Sequence, residues 1–339
     1  MKKYIQVLGA IACLAVVLLH TNGVFWIFSY ERYWATANVI ESVCYFAVPV
    51  FLMISGCNLI DYRKKYDTKT YFKKRILKTG IPFVIWSLIG CSYRVMTHAI
   101  DIKDLNISWI INSIFNTNII GIYWFFMPLF SIYLAIPALA LIPEKSREKI
   151  FRYLLITAFV FNMCFPFIFV FLPINYNGSL YMPLVSGYVF YALAGYYIDR
   201  YPIGKKYRIG SYILGVLGLT LHIGGTFILS YADGAINETF KGYLNIPCVL
   251  YTIAIFIFFK YFDKTKVMDL LYKCTAFVAD TTFGVYLIHW FLMDVVLRVT
   301  HIHPTSIIYR TVGGFGIFII AVLIVKVIKK VPVICRIVP

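Results

Sequence analysis

His20 closes an apolar run, Gly9-Ala10-Ile11-Ala12-Cys13-Leu14-Ala15-Val16-Val17-Leu18-Leu19, and a second histidine, His289, closes Phe283-Gly284-Val285-Tyr286-Leu287-Ile288. A neutral imidazole is the side chain best matched to taking a proton from a hydroxyl near pH 7, so both are general-base candidates. The bland alternative is a structural histidine bonded to a neighbouring helix, and it weighs more on His289. Glu41, Arg94, Tyr123 and Trp124 also stand in or beside apolar runs, where ionisable groups are costly and functional by default. Each has its own bland reading: Arg94 snorkels outward, Glu41 sits at the interface, and Tyr123 and Trp124 belong to an aromatic belt. A different chemistry is suggested by Tyr71-Phe72-Lys73-Lys74-Arg75-Ile76-Leu77-Lys78. Arg75, with Lys74 and Lys78, offers bidentate and point-charge contacts to a phosphate-bearing ligand, although composition alone favours topology or anionic lipid. No CxxC or Cys/His spacing marks a metal site among the eight cysteines, so no metal is expected.

The elements that position these residues must be membrane helices. Of 339 residues, 61% are hydrophobic and 14% charged, against roughly 45–50% and 25% in soluble domains. Runs long enough to span lie near 5–28, 39–60, 78–97, 119–142, 149–172, 181–199, 207–231, 244–262, 277–299 and 306–328. They predict an all-α polytopic bundle of about ten transmembrane helices in a single domain, 1–339. The first run resembles a signal peptide, but Leu19-His20-Thr21-Asn22-Gly23 is a poor cleavage site, and it is read as an uncleaved helix. The outer connection 98–118 is expected to hold a short interfacial helix.

A net charge of +17 is not a nucleic-acid signature here, because the basic residues lie between apolar runs and form no solvated face. Taking alternate connections as cytoplasmic collects 26 of the 32 Lys and Arg; the rest are Arg32, Arg94, Lys103, Lys241, Arg298 and Arg310. Basic loops stay inside, so both termini are expected in the cytoplasm. On a rise of about 1.5 Å per residue, His20, Arg94 and His289 then lie about 22, 24 and 18 Å from the cytoplasmic edge, with Tyr123-Trp124 at about the level of His20 and Arg94 and Glu41 somewhat nearer the outer surface. Such convergence of polar groups is the pattern of a buried cavity.

These segments resemble the acyltransferase 3 family over nearly the full chain. The run ending at His20 is similar to the family's first helix with its catalytic histidine. Pro49-Val50-Phe51-Leu52-Met53-Ile54-Ser55-Gly56 is similar to its second-helix signature. Arg75-Ile76-Leu77-Lys78 resembles its Arg-x-x-Arg, with Lys in the second place. Tyr123-Trp124-Phe125-Phe126 with Tyr133-Leu134-Ala135-Ile136-Pro137, and Phe283 to His289, resemble later helices. Within the family, the first two helices and Val278 to His289 are most similar to the enterobacterial common antigen O-acetyltransferase type.

The resemblance implies transfer of an acyl group, usually acetyl from acetyl-CoA, to a sugar hydroxyl of a surface glycan or its lipid-linked precursor, in the cytoplasmic membrane of a bacterium. His20 would be the base, Arg75 and Lys78 would hold donor phosphates, and Arg94, Tyr123 or His289 would steady the oxyanion. Succinyl or longer donors remain alternatives. Acyl-CoA, the glycan acceptor and membrane lipids are the expected partners, and no permanently bound cofactor is needed. The rival function is a non-catalytic glycan or metabolite transporter, which also places polar groups at mid-depth. A membrane sensor is less apt, since no soluble domain is evident.

Overall fold

Apolar runs fold as helices because hydrocarbon supplies no partners for backbone N–H and C=O groups, which must be satisfied within the segment. The computed structural model describes residues 2–332 and 334–339, and its regular elements are helical. In chain order these are α1 (Lys3–Thr21), α2 (Arg32–Cys44), α3 (Ala47–Leu59), α4 (Thr68–Arg75), α5 (Ile81–Met96), α6 (Ile107–Phe115), α7 (Phe126–Leu141) and α8 (Glu144–Phe159). Then follow α9 (Phe165–Phe169), α10 (Val189–Arg200), α11 (Lys205–Asp233), α12 (Ile246–Phe262), α13 (Lys266–Thr275), α14 (Thr282–Thr300) and α15 (Gly314–Lys330).

Among the described residues, eight helical stretches are long and apolar enough to cross a membrane, and α12 with α13, bent by 107° at their junction, makes a ninth candidate. The polytopic all-helical bundle is therefore as expected, but the count of about ten is not reached by length. The run 181–199 yields only α10, whose 12 residues span about 18 Å against a core of about 30 Å. Pro183, which has no N–H to donate, and Gly187, with φ of 52°, lie in the irregular stretch before it. In the connection 98–118, α6 is the short helix expected, capped by Asn106 accepting from the Trp109 N–H.

Two helices pack with backbones in contact. A β-carbon on Gly56 of α3 would lie 1.8 Å from the Ala192 carbonyl oxygen of α10, and one on Gly195 would lie 2.3 Å from the Met53 oxygen. The Ser55-Gly56 pair thus has a packing reason, the close approach that small residues permit between membrane helices. Gly56→Val is expected to cost about 1–3 kcal/mol by overpacking, read as a lower thermal midpoint of the detergent-solubilised protein. Gly210→Ala, with nothing within 4 Å, is the control and is expected to leave the midpoint unchanged or higher. Equal midpoints for Gly56→Val and wild type would refute this packing account.

Both chain ends meet one surface. Lys2 pairs with Asp199 at 2.7 Å and Lys3 with Asp269 at 2.5 Å, while Lys326 of α15 pairs with Asp280, just beyond α13, at 2.6 Å. That end of the bundle is termed inner. The helices also carry three π-turns, Ile76–Gly80, Val160–Cys164 and Tyr309–Gly313, of the kind that re-aims side chains at functional sites.

Candidate active site

α1 places Val16 and His20 one turn apart, and each faces a different cavity. The inner cavity, about 310 Å³, is lined by Val16, Ser55, Lys78, Thr79, Tyr133 and Tyr286 among others. The outer cavity, about 590 Å³, is lined by His20, Trp26, Glu41, Trp124, Tyr243 and Trp290 among others. Phe125 belongs to the inner wall and Trp124 to the outer, as do Tyr286 and Trp290 on α14. The two spaces therefore adjoin across a layer that includes His20.

His289 completes that layer. His20 Nδ1 lies 2.7 Å from His289 Nε2, and the rings stack at 4.9 Å with 19° between planes. On its far side His289 Nδ1 faces the Val285 carbonyl oxygen at 3.0 Å, an acceptor only, so Nδ1 carries the proton. A neutral His289 consequently presents a lone pair at Nε2, and His20 must donate from Nδ1. The proton-free nitrogen of His20 is then Nε2, and a tautomer fixed by the neighbour's hydrogen bond is what a general base requires. His289 is fully buried, so its lone pair has no competing water.

Glu41 is buried on α2 and accepts from Asn22 Nδ2 at 3.3 Å. Lys241, in the connection between α11 and α12, donates to Ser42 Oγ at 3.2 Å and lies 4.2 Å from the Phe25 ring centroid. Burial lowers the Lys241 ammonium below the ordinary lysine value, while Glu41 pulls it the other way. Tyr243 stacks on Tyr45 at 4.1 Å with 5° between planes and on Trp124 at 5.4 Å, giving the outer cavity a flat aromatic wall.

The other expected residues divide. Tyr123 is buried and its hydroxyl donates to the Leu287 carbonyl at 2.7 Å, which holds α14 against the turn before α7. Arg94 donates from Nη1 to the carbonyls of Asn118 and Ile119 at 3.2 and 3.0 Å and fixes the loop after α6. At the inner end, α4 starts on Asp67, which accepts from the Thr70 N–H at 2.9 Å. The π-turn that follows brings Lys78 to the inner cavity. Arg75 lies against the rings of Tyr71 and Tyr133 at 5.9 and 5.5 Å, and its buried Nε has no partner among the described residues. Lys74 turns instead to the Tyr66 ring, 3.9 Å away.

Sequence reasoning passed over Asn22, Trp26, Tyr243, Trp290 and Lys241. Only Asn22 carried a local signal, being a polar residue two positions after His20 in an apolar context.

The described residues thus form a helical membrane bundle with a histidine beside two cavities, the inner one lined by Lys78 and the outer one by aromatic rings. Among known families, the acyltransferase 3 family model, described as an acyltransferase domain, matches residues 2–326, and the chain belongs to that family. No curated protein and no solved structure gives a significant match.

Proposed function

We propose that this protein is an O-acetyltransferase of a bacterial cytoplasmic membrane, with both termini in the cytoplasm. Acetyl-CoA approaches from the inner end, and the acceptor is a sugar hydroxyl of a surface glycan or its lipid-linked precursor. The observation that carries this reading is the His289–His20 hydrogen bond, which leaves His20 Nε2 basic where the two cavities adjoin. The aromatic wall and Glu41 suit a sugar, whose C–H faces lie flat on rings while its hydroxyls need polar acceptors.

In the reaction, His20 Nε2 takes the hydroxyl proton as the oxygen attacks the thioester carbonyl. The tetrahedral oxyanion collapses, the carbon–sulfur bond breaks, and the leaving thiolate receives the proton from the imidazolium. Tyr123 and His289 have committed their donors elsewhere, and Arg94 holds the loop after α6 and does not line the outer cavity, so Trp124 is the candidate for the oxyanion among the expected residues. Arg75 and Lys78 hold the donor's phosphates at the inner mouth, where burying the nucleotide's charge is avoided and only the thin pantetheine arm enters the helices.

Purified protein given radiolabelled acetyl-CoA and membrane glycolipid from its host is expected to move label to the glycan. Binding of the glycolipid without any transfer or acetyl release would favour the transporter. Arg75→Ala is expected to raise the Michaelis constant for acetyl-CoA about tenfold, Lys78→Ala less, and added salt to imitate both by screening. A lower turnover at unchanged donor affinity would assign the cluster to orientation in the membrane alone. Reporter fusions at the C-terminus and within 232–243 are expected on opposite faces, and a shared face would refute the cytoplasmic termini.

A further inference from the structure

Arg310 counted in the sequence as an outer-side charge, but it is 1% exposed and sits in the π-turn that leads into α15. Among the described residues it forms no ion pair. Its fork is instead spread over neutral acceptors: Nη1 donates to Asn22 Oδ1 at 3.3 Å and to the Tyr33 carbonyl at 3.2 Å, and Nη2 to Thr36 Oγ1 at 2.9 Å. The Arg310 carbonyl in turn accepts from Thr21 Oγ1 at 3.3 Å. One guanidinium therefore ties the last turn of α1, which carries His20, to the first turns of α2, which carries Glu41.

Asn22, wholly buried, transmits this contact. Its oxygen is occupied by Arg310, and its amide group donates to the Ala37 carbonyl at 2.9 Å and to Glu41 Oε2 at 3.3 Å. Only one orientation of the carboxamide satisfies all three, because the flipped form would set its N–H groups against the guanidinium. The Ala37 carbonyl takes one of the two amide N–H groups, and the other, which burial requires to be paired, is spent on Glu41. That bond goes to the carboxylate facing the outer cavity beside His20.

We propose that Asn22 and Arg310 are positioning residues that hold Glu41 as the acceptor-binding carboxylate of the outer cavity, setting where a sugar hydroxyl rests relative to His20. The inference rests on the acyl-transfer reading above. Glu41 accepts a hydrogen bond from an acceptor hydroxyl neighbouring the one that reacts, and the Asn22 donor keeps its second oxygen from competing for that hydroxyl.

The test uses the host strain lacking this gene and carrying wild type, Asn22→Asp, Glu41→Gln, the double variant or His20→Ala, with alkali-labile acetyl on surface glycans measured by mass spectrometry and normalised to folded protein. Asn22→Asp keeps the acceptor for Arg310 but sets a carboxylate against Glu41, and is expected to lower acetylation at least tenfold. Glu41→Gln keeps a carbonyl acceptor and is expected to lose less. In the double variant Gln at 41 donates to Asp at 22 and restores the bond in reverse, so acetylation is expected to return to within about threefold of Glu41→Gln alone. A double variant at or below Asn22→Asp, or Asn22→Asp equal to wild type, would overturn the proposal. Should Asn22→Asp not accumulate, Arg310→Lys replaces it. Reduced transfer at unchanged acetyl-CoA affinity then supports the relay, and loss of both or of neither contradicts it. Wild type indistinguishable from His20→Ala would overturn the acyl-transfer reading itself, and this inference with it.

Discussion

Replacing His20 by alanine is expected to slow acyl transfer about 10²–10⁴-fold, the range that a positioned general base contributes. The protein is expected to keep its level in the membrane, because His20 is only half-buried and its contacts are to a cavity and to one other ring. Turnover of acetyl-CoA by the purified variant, at donor concentrations well above the Michaelis constant, measures this. Unchanged glycan acetylation in His20→Ala cells would refute the assignment.

The second large effect is expected at His289, through His20. Alanine there removes the acceptor that holds the His20 Nδ1 proton, so the ring loses both its tautomer and its orientation. Misplacement of a catalytic group by about 1 Å costs roughly 10²-fold, and His289→Ala is expected to reach that order, short of His20→Ala. Glutamine offers a carbonyl oxygen to the same proton and is expected to stay within about tenfold of wild type. The donor's Michaelis constant should be unmoved in both, since His289 is buried and is not among the residues lining the inner cavity with Lys78. Equal rates for the two substitutions, or a raised donor constant, would make His289 a packing residue.

The sequence carried the bundle because a membrane segment must be apolar along its whole length, and composition alone records that. His20 was legible for the same reason, as a polar residue where hydrocarbon is the rule. Its bond to His289 was not, since the partners are 269 positions apart and local spacing holds no information on which helices touch. Charges misled in both directions. Arg147 counts in the sequence among the cytoplasmic loop charges, and Lys241 and Arg310 among the six on the outer side, yet Arg147 is buried against Asp61 at 2.6 Å, and the other two are 1% exposed. In each case the charge is met by oxygens of neighbouring elements, the Ser42 hydroxyl for Lys241, a role fixed only by tertiary packing. The run 181–199 is helical only over α10 because hydropathy counts apolar residues but not the proline and glycine that break the ladder before it. Conversely Gly56, noticed only as part of a signature, acquires its reason from the carbonyl of Ala192 pressed against it.

The central claim is that donor and acceptor meet at His20 from opposite ends of the bundle. It is tested in proteoliposomes of known orientation that contain host glycolipid in the outer-end leaflet, with radiolabelled acetyl-CoA supplied to one face at a time. Label in the glycolipid is expected only when acetyl-CoA is given on the face bearing Arg75 and Lys78, with free CoA appearing on that same face. Acetylation confined to glycolipid on the donor's own face would contradict the account.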